Sequence, residues 1–190
     1  MTNISIIGTG TMGKALAQLF TRSGSDVQLI SHEEAPGTIQ GEIVVLAVPY
    51  PALADLASTA ASQLDGRIVV DITNPVDFST FSPIKPEAGS ATAELAAALP
   101  TAHVLKAFNT NLAATLAAGT TGPAPVSVLI AGDDESAKKT LSEAVTASGA
   151  SAYEVGGLAR AAELEAAGYL QIALAASGQI GWTNGFALYK

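Results

Sequence analysis

Cysteine is absent from all 190 residues, which excludes a disulfide scaffold, a thiolate metal centre and a cysteine nucleophile, and agrees with a reducing compartment. Histidine is scarce as well. With two of them, and no dense cluster of Asp and Glu at ligand spacing, nothing in the sequence marks a metal site. Nine Lys and Arg against 17 Asp and Glu leave a formal charge of −8, which opposes the counterion-releasing contacts that nucleic acid requires. Apolar runs fall far short of the roughly 18 residues of a membrane span. The first residues enter an apolar, strand-like run without the basic, apolar and small-residue regions of an export signal. A cytoplasmic protein with neither a nucleic-acid nor a membrane partner is the expectation.

What the chain has is apolar content, 48% of its residues, enough for one ample domain. Short apolar runs predict strands over 4–7, 27–30, 43–48, 68–72, 104–108, 126–131 and near 152–155. Between them, Ala/Leu-rich stretches predict helices over 14–23, 50–64, 90–99 and 134–148, and a last one over 158–177. Residues 31–42 are too few for a helical crossover and read as a loop, as does the Pro, Ser and Thr-rich stretch 74–89. Alternating strands and helices predict an α/β fold: a doubly wound, mostly parallel sheet of the NAD(P)-binding Rossmann kind with a small C-terminal helical lobe. The expected division is a dinucleotide-binding domain over 1–157, with a helix and a Gly/aromatic tail over 158–190 packed on it.

Gly8, Gly10 and Gly13 form G-x-G-x-x-G directly after a predicted strand and at a helix start, the context in which this pattern signals a dinucleotide. Gly8 permits the tight turn, Gly10 the approach of a pyrophosphate, and Gly13 close helix-on-strand packing. The second strand ends at Ser31 rather than at the acid that takes the ribose 2′-hydroxyl of NAD. Ser31, His32 and Thr9 can instead donate to the 2′-phosphate of NADP. Glu33, two positions farther on, keeps NAD as the alternative. Val48, Pro49 and Tyr50 end the third strand, and Asn74 and Pro75 the fourth, at the carboxyl edge where ligands lie in open α/β sheets. The prolines also suit plain strand termination. Lys106 and Asn109 bracket the end of the fifth strand; Lys106 either faces the same crevice or snorkels at the surface. Glu163 and Glu165 read as a solvated or interface face of the last helix, and His103 as a surface residue.

The segments GTGTMG, LAVPY, DITNP, GSATAELAAALP, LKAFNT and LEAAGYLQIALAASGQIGW together resemble the NADPH-dependent coenzyme F-420 reductases, and similar segments occur in the oxidoreductase domain of the STEAP metalloreductases. The glycine loop is common to many folds; DITNP, KAFNT and the last helix with its Gly-Trp are particular. The resemblance implies hydride transfer between NADP(H) and a deazaflavin. It matches Thr9, Gly10, Thr11 and Met12 to the phosphate loop and Ser31 with His32 to the 2′-phosphate site. Val48, Pro49 and Asn74 match the nicotinamide side, and Ala107, Phe108 and Asn109 the strand end near the acceptor. The family often has arginine where this chain has His32.

Asn74, Phe108 and Asn109 are thus the candidate catalytic residues, with Gln171 and Trp182 closing the site. A small-molecule acceptor is expected: the deazaflavin, or a flavin, quinone or chelated metal in its place. Dehydrogenases of hydroxy acids or pyrroline carboxylate need a larger second domain, and a non-catalytic NADP sensor is the other alternative. Ile180, Trp182, Phe186 and Leu188 suit either a closing flap or a homodimer interface.

Overall fold

Runs of branched apolar residues at every position, rather than at alternate ones, make strands that must be covered on both faces. In the computed structural model, which describes residues 2–31 and 39–189, seven strands form one sheet; the five inner ones are buried along nearly their whole length, and the two edge strands are more polar and more exposed. They are β1 (Asn3–Ile7), β2 (Asp26–Ile30), β3 (Ile43–Leu46), β4 (Ile68–Asp71), β7 (His103–Ala107), β10 (Ser127–Gly132) and β11 (Ser151–Gly156). Their spatial order is β11-β10-β7-β4-β3-β1-β2, with every neighbouring pair parallel except β7 and β10. The α/β doubly wound expectation holds, with an antiparallel step near one edge.

Helices cover both faces. On one, α1 (Thr11–Thr21), α5 (Ala113–Ala118) and α6 (Glu135–Ala147) bury Leu16, Leu19, Phe20, Leu116 and Leu141 against Ile4, Ile6, Val45, Val70, Leu105 and Ile130. On the other, α2 (Leu53–Thr59), α3 (Ala61–Leu64) and α4 (Ala91–Ala98) bury Leu53, Leu56, Leu64 and Leu95 against Ile7, Val44, Leu46, Val69 and Val104. The last helix, α7 (Ala161–Ala176), meets the sheet at the ends of β4 and β7. None of the described helices is long and apolar enough to cross a membrane.

Three details depart from the sequence expectation. The helix expected over 50–64 is a 3-10 turn at Tyr50–Ala52 followed by α2 and α3, which break apart at Ala60. There the Thr59 hydroxyl donates back to the Asp55 carbonyl, a bond that competes with helix continuation. The stretch 74–89 is not all loop: β5 (Val76–Asp77) and β6 (Ser82–Pro83) pair as a short hairpin, its turn pinned by Ser79 and Thr80 on the Asp77 carboxylate. Finally, α5 and a second hairpin, β8 (Thr120–Thr121) with β9 (Ala124–Pro125), lie between β7 and β10, where no element was expected.

Candidate functional site

The glycine loop leaves β1 at the point where the sheet order turns, with β2 on one side of β1 and β3 on the other. This is the crevice in which open α/β sheets take ligands. Its three glycines answer to three different surroundings. Gly8 has φ +123°, and a Cβ there would strike the Ala47 carbonyl. At Gly13 a Cβ would strike the Gly8 carbonyl, so α1 could not sit as close to its strand. Gly10, the N-cap of α1, faces open space on the side where a Cβ would point. A helix N-terminus with free N–H groups and room in front of it is suited to phosphate.

A cleft of about 650 Å3 runs from this loop along the carboxyl ends of β3, β4 and β7. Gly10, Thr11, Met12, Val48, Pro49 and Tyr50 line one end, and Ile72, Thr73, Asn74, Asn109 and Asn111 its floor. Phe78 from the β5–β6 hairpin and Trp182 from the tail, both more than half exposed, stand at its mouth. The described lining carries no Asp, Glu, Lys, Arg or His. Three buried oxygens of floor residues, Thr73 Oγ1, Asn109 Oδ1 and Asn111 Oδ1, have no hydrogen-bond partner among the described residues. Leaving a buried acceptor unpaired costs about 1–3 kcal/mol, so such a trio marks a place prepared for a donor.

The floor is held from several sides. Asn109 Nδ2 donates to Asn74 Oδ1 (2.9 Å) and to the Leu164 carbonyl of α7 (2.7 Å), while Asn74 Nδ2 donates to the Asn109 carbonyl (2.8 Å). Asn111 Nδ2 donates to the Ser127 carbonyl (2.9 Å). Gln171 ties the tail down: its Nε2 donates to the Thr110 carbonyl and its Oε1 accepts from the Phe186 N–H.

Several candidates sit elsewhere than expected. The Phe108 ring is fully buried and meets Phe20 edge-on at 5.8 Å, so it belongs to the core and not to the cleft. Its contribution is the backbone: at φ 61° it turns the chain off β7 and sends Asn109 to the floor, a conformation costly for a bulky residue and held by that packing. Pro75 lines a neighbouring cavity instead, and Thr9, within the loop, is exposed. Ser31 is half-buried just past the end of β2; His32 and Glu33 lie outside the described residues. Tyr50 borders the cleft, but its hydroxyl donates to Glu94 Oε2 (2.8 Å). Burial, then that bond to a carboxylate, push its pKa up to about 12, which keeps it a neutral phenol.

Sequence reasoning missed a buried charge cluster under the floor. Glu165, expected on a solvated or interface face, is 6% exposed, and Lys106 is fully buried, neither in the cleft nor at the surface. Lys106 Nζ donates to Asp71 Oδ2 (2.9 Å) and Glu165 Oε1 (2.8 Å). A signal was present: Asp71 and Lys106 lie near the carboxyl ends of two apolar strands, each two residues past a buried valine, and two such charges on one face need each other.

The chain is similar to several known proteins. The profile of a family described as coenzyme F420-dependent NADP oxidoreductase matches residues 28–75. Metalloreductase STEAP3 of Rattus norvegicus is 32% identical over 181 residues, covering 86% of this chain, which spans only 36% of that protein. The F420-dependent NADP reductase of Methanocaldococcus jannaschii is 26% identical over 167 residues, 85% of this chain and 74% of its own. A solved structure from Arthrobacter sp. FB24, provisionally described as an F420-dependent NADP reductase, superposes over the whole of both chains with a TM-score of 0.83 at 23% identity, and shares the fold.

Proposed function

We propose that the chain, which is similar to coenzyme F420-dependent NADP oxidoreductases, is itself an NADP-dependent oxidoreductase whose cleft serves hydride transfer to a flavin-like ring, with deazaflavin the first candidate. The observation that carries this reading is the uncharged cleft floor with its three unpartnered buried oxygens, at the edge of the sheet where a nicotinamide ring is expected. Bound NADPH supplies the hydride. The residues present fit that cofactor: Gly10 leaves room for the pyrophosphate before the N–H groups of Thr11 and Met12, and Thr73, Asn109 and Asn111 offer acceptors to the carboxamide NH2. Ser31 and His32 are assigned to the 2′-phosphate.

Hydride transfer between two rings needs alignment and exclusion of water more than an acid or base. The floor agrees with this. Asn74 and Asn109 are fixed by each other and by α7, Asn111 by the Ser127 carbonyl, and Tyr50 is held as a neutral phenol on Glu94. Phe78 and Trp182 give the mouth two aromatic faces for a planar acceptor. Residues 158–190 are assigned to a small lobe that closes the cleft, and Asn74 and Asn109 to direct contact with the reacting rings.

We further assign the protein to the cytoplasm as a homodimer. The exposed Trp182, Phe186, Leu188 and Tyr189 support the dimer, which light scattering of the purified protein tests: a mass of one chain, 19.1 kDa, refutes it. The activity is tested by following nicotinamide absorbance with NADPH and, in turn, coenzyme F420, FMN, a quinone and a ferric chelate, with NADH for comparison. Oxidation of NADPH with the deazaflavin supports the full reading. Turnover with another acceptor alone reassigns the acceptor, and no oxidation with any of them overturns the enzyme.

A further inference from the structure

Three separate segments, DITNP, LKAFNT and LEAAGYLQ, each bring one charged side chain to the same buried point: Asp71, Lys106 and Glu165. Asp71 and Lys106 side chains are fully buried and that of Glu165 is 7% exposed. The cluster reaches across four elements. Besides Lys106, Asp71 Oδ2 accepts from the Thr92 hydroxyl (2.7 Å), and Glu165 accepts from the Ala91 N–H at the start of α4 (3.1 Å to Oε1). Two carboxylates stand against one ammonium, so the formal charge of the cluster is −1.

A buried ion pair adds little stability over apolar residues of the same volume, so holding α7 on the sheet is a weak reason for three buried charges. Their connection upward is more informative. Lys106 Nζ donates to the Thr73 carbonyl, and the Thr73 N–H donates to Asp71 Oδ1 (2.8 Å), so both backbone polar groups of Thr73 are held by the cluster. Thr73 lines the cleft, and its hydroxyl is one of the three unpartnered oxygens. One residue therefore separates a net-negative buried cluster from the cleft floor. In such surroundings a charge acts over many ångströms with little screening.

We propose that Asp71, Lys106 and Glu165 form a negative platform beneath the cleft that positions Thr73 and Asn74 and favours the oxidised, positively charged nicotinamide ring over the neutral reduced ring. This rests on the reading of the cleft as the nicotinamide site. These are positioning residues, acting through the Thr73 backbone and through their charge. The platform makes NADPH the better hydride donor on the protein than in water, since the state after transfer is the one it stabilises.

The test is calorimetric titration of NADP+ and of NADPH, each into the wild-type protein and into Glu165→Gln, which keeps the shape of the side chain and removes its charge. The ratio Kd(NADP+)/Kd(NADPH) is expected to rise roughly three- to tenfold in the variant, a size typical of one charge at intermediate dielectric. An unchanged ratio overturns the proposal, including the case in which both nucleotides weaken together, as a purely structural latch would cause. Asp71→Asn repeats the measurement through a second carboxylate, and carries it if the first variant does not fold. If neither nucleotide binds the wild-type protein, the cleft reading itself is wrong; if both bind and the ratio stays fixed, only the platform fails.

Discussion

Asn74 and Asn109 bind each other twice across the carboxyl ends of β4 and β7, side chain to carbonyl at 2.8 Å and side chain to side chain at 2.9 Å. The α7 helix adds a third bond, from Asn109 Nδ2 to the Leu164 carbonyl (2.7 Å). A Cβ on Gly168 would strike Asn74 Oδ1 and crowd the Asn109 carbonyl, so glycine at that position sets the distance of the helix from the floor. Gly168→Ala and Asn74→Ala should both slow NADPH oxidation, by roughly ten- to hundredfold as expected of small misplacements at a hydride site. Initial rates at saturating NADPH check this, and wild-type rates in both variants would remove the pair from the reaction.

The two loop glycines should fail in different ways. Gly10→Ala adds a methyl group in open space, so the protein should melt as the wild type does yet bind NADPH far more weakly. Gly13→Ala pushes on the Gly8 carbonyl and should lose stability by about 1–3 kcal/mol as well as binding. Urea unfolding and nucleotide titration on both variants separate the two effects.

Lys106→Met leaves Asp71 and Glu165 facing each other without their cation. Breaking a buried ion pair by removing one partner costs about 3–5 kcal/mol, and urea midpoints should fall accordingly. Replacing all three charges together, for example with Leu, Met and Leu, should restore most of that loss while leaving the cofactor effects of the platform absent.

Burial raises the Glu165 carboxyl above its ordinary 4.5, against the pull of Lys106 and with Asp71 adding to the rise. The folded protein therefore binds the Glu165 proton more tightly than the unfolded chain does. Its contribution is fully present below about pH 4.5 and is lost as pH rises through the raised value. Asp77, Asp134 and Glu163 are lowered by hydrogen bonds and contribute the opposite way, losing stability only as pH falls below their ordinary range. Tm followed upward from pH 4.5 should fall less steeply in Glu165→Gln than in the wild type, and parallel curves would show that Glu165 does not titrate there.

Trp182 is the single tryptophan and stands at the cleft mouth, so its fluorescence should quench on titration with NADP+. Gln171→Ala removes the side chain that holds both Thr110 and Phe186 and should expose the tryptophan further, shifting its emission to the red before any ligand is added. Emission spectra of the two proteins are the check.

The glycine loop, the alternation of strands and helices and the two proline-marked strand ends were legible because each depends on local chemistry: a backbone conformation, a period, a missing N–H. The Gly8, Gly10 and Gly13 roles follow from positions a few residues apart, and the structure gives Gly8 and Gly13 a close neighbour and Gly10 open space. Side-chain direction at the ends of the strands was not legible in the same way. Phe108 and Asn109 are adjacent, yet one ring goes to the core and one amide to the floor, because a left-handed backbone step intervenes. Lys106 and Glu165 are separated by 59 positions and acquire their meaning only from each other. A single charge on an apolar strand or helix has two readings, solvated or buried, and the partner that lowers the cost of burial arrives from a distant segment; strand register and the packing of α7 supply it.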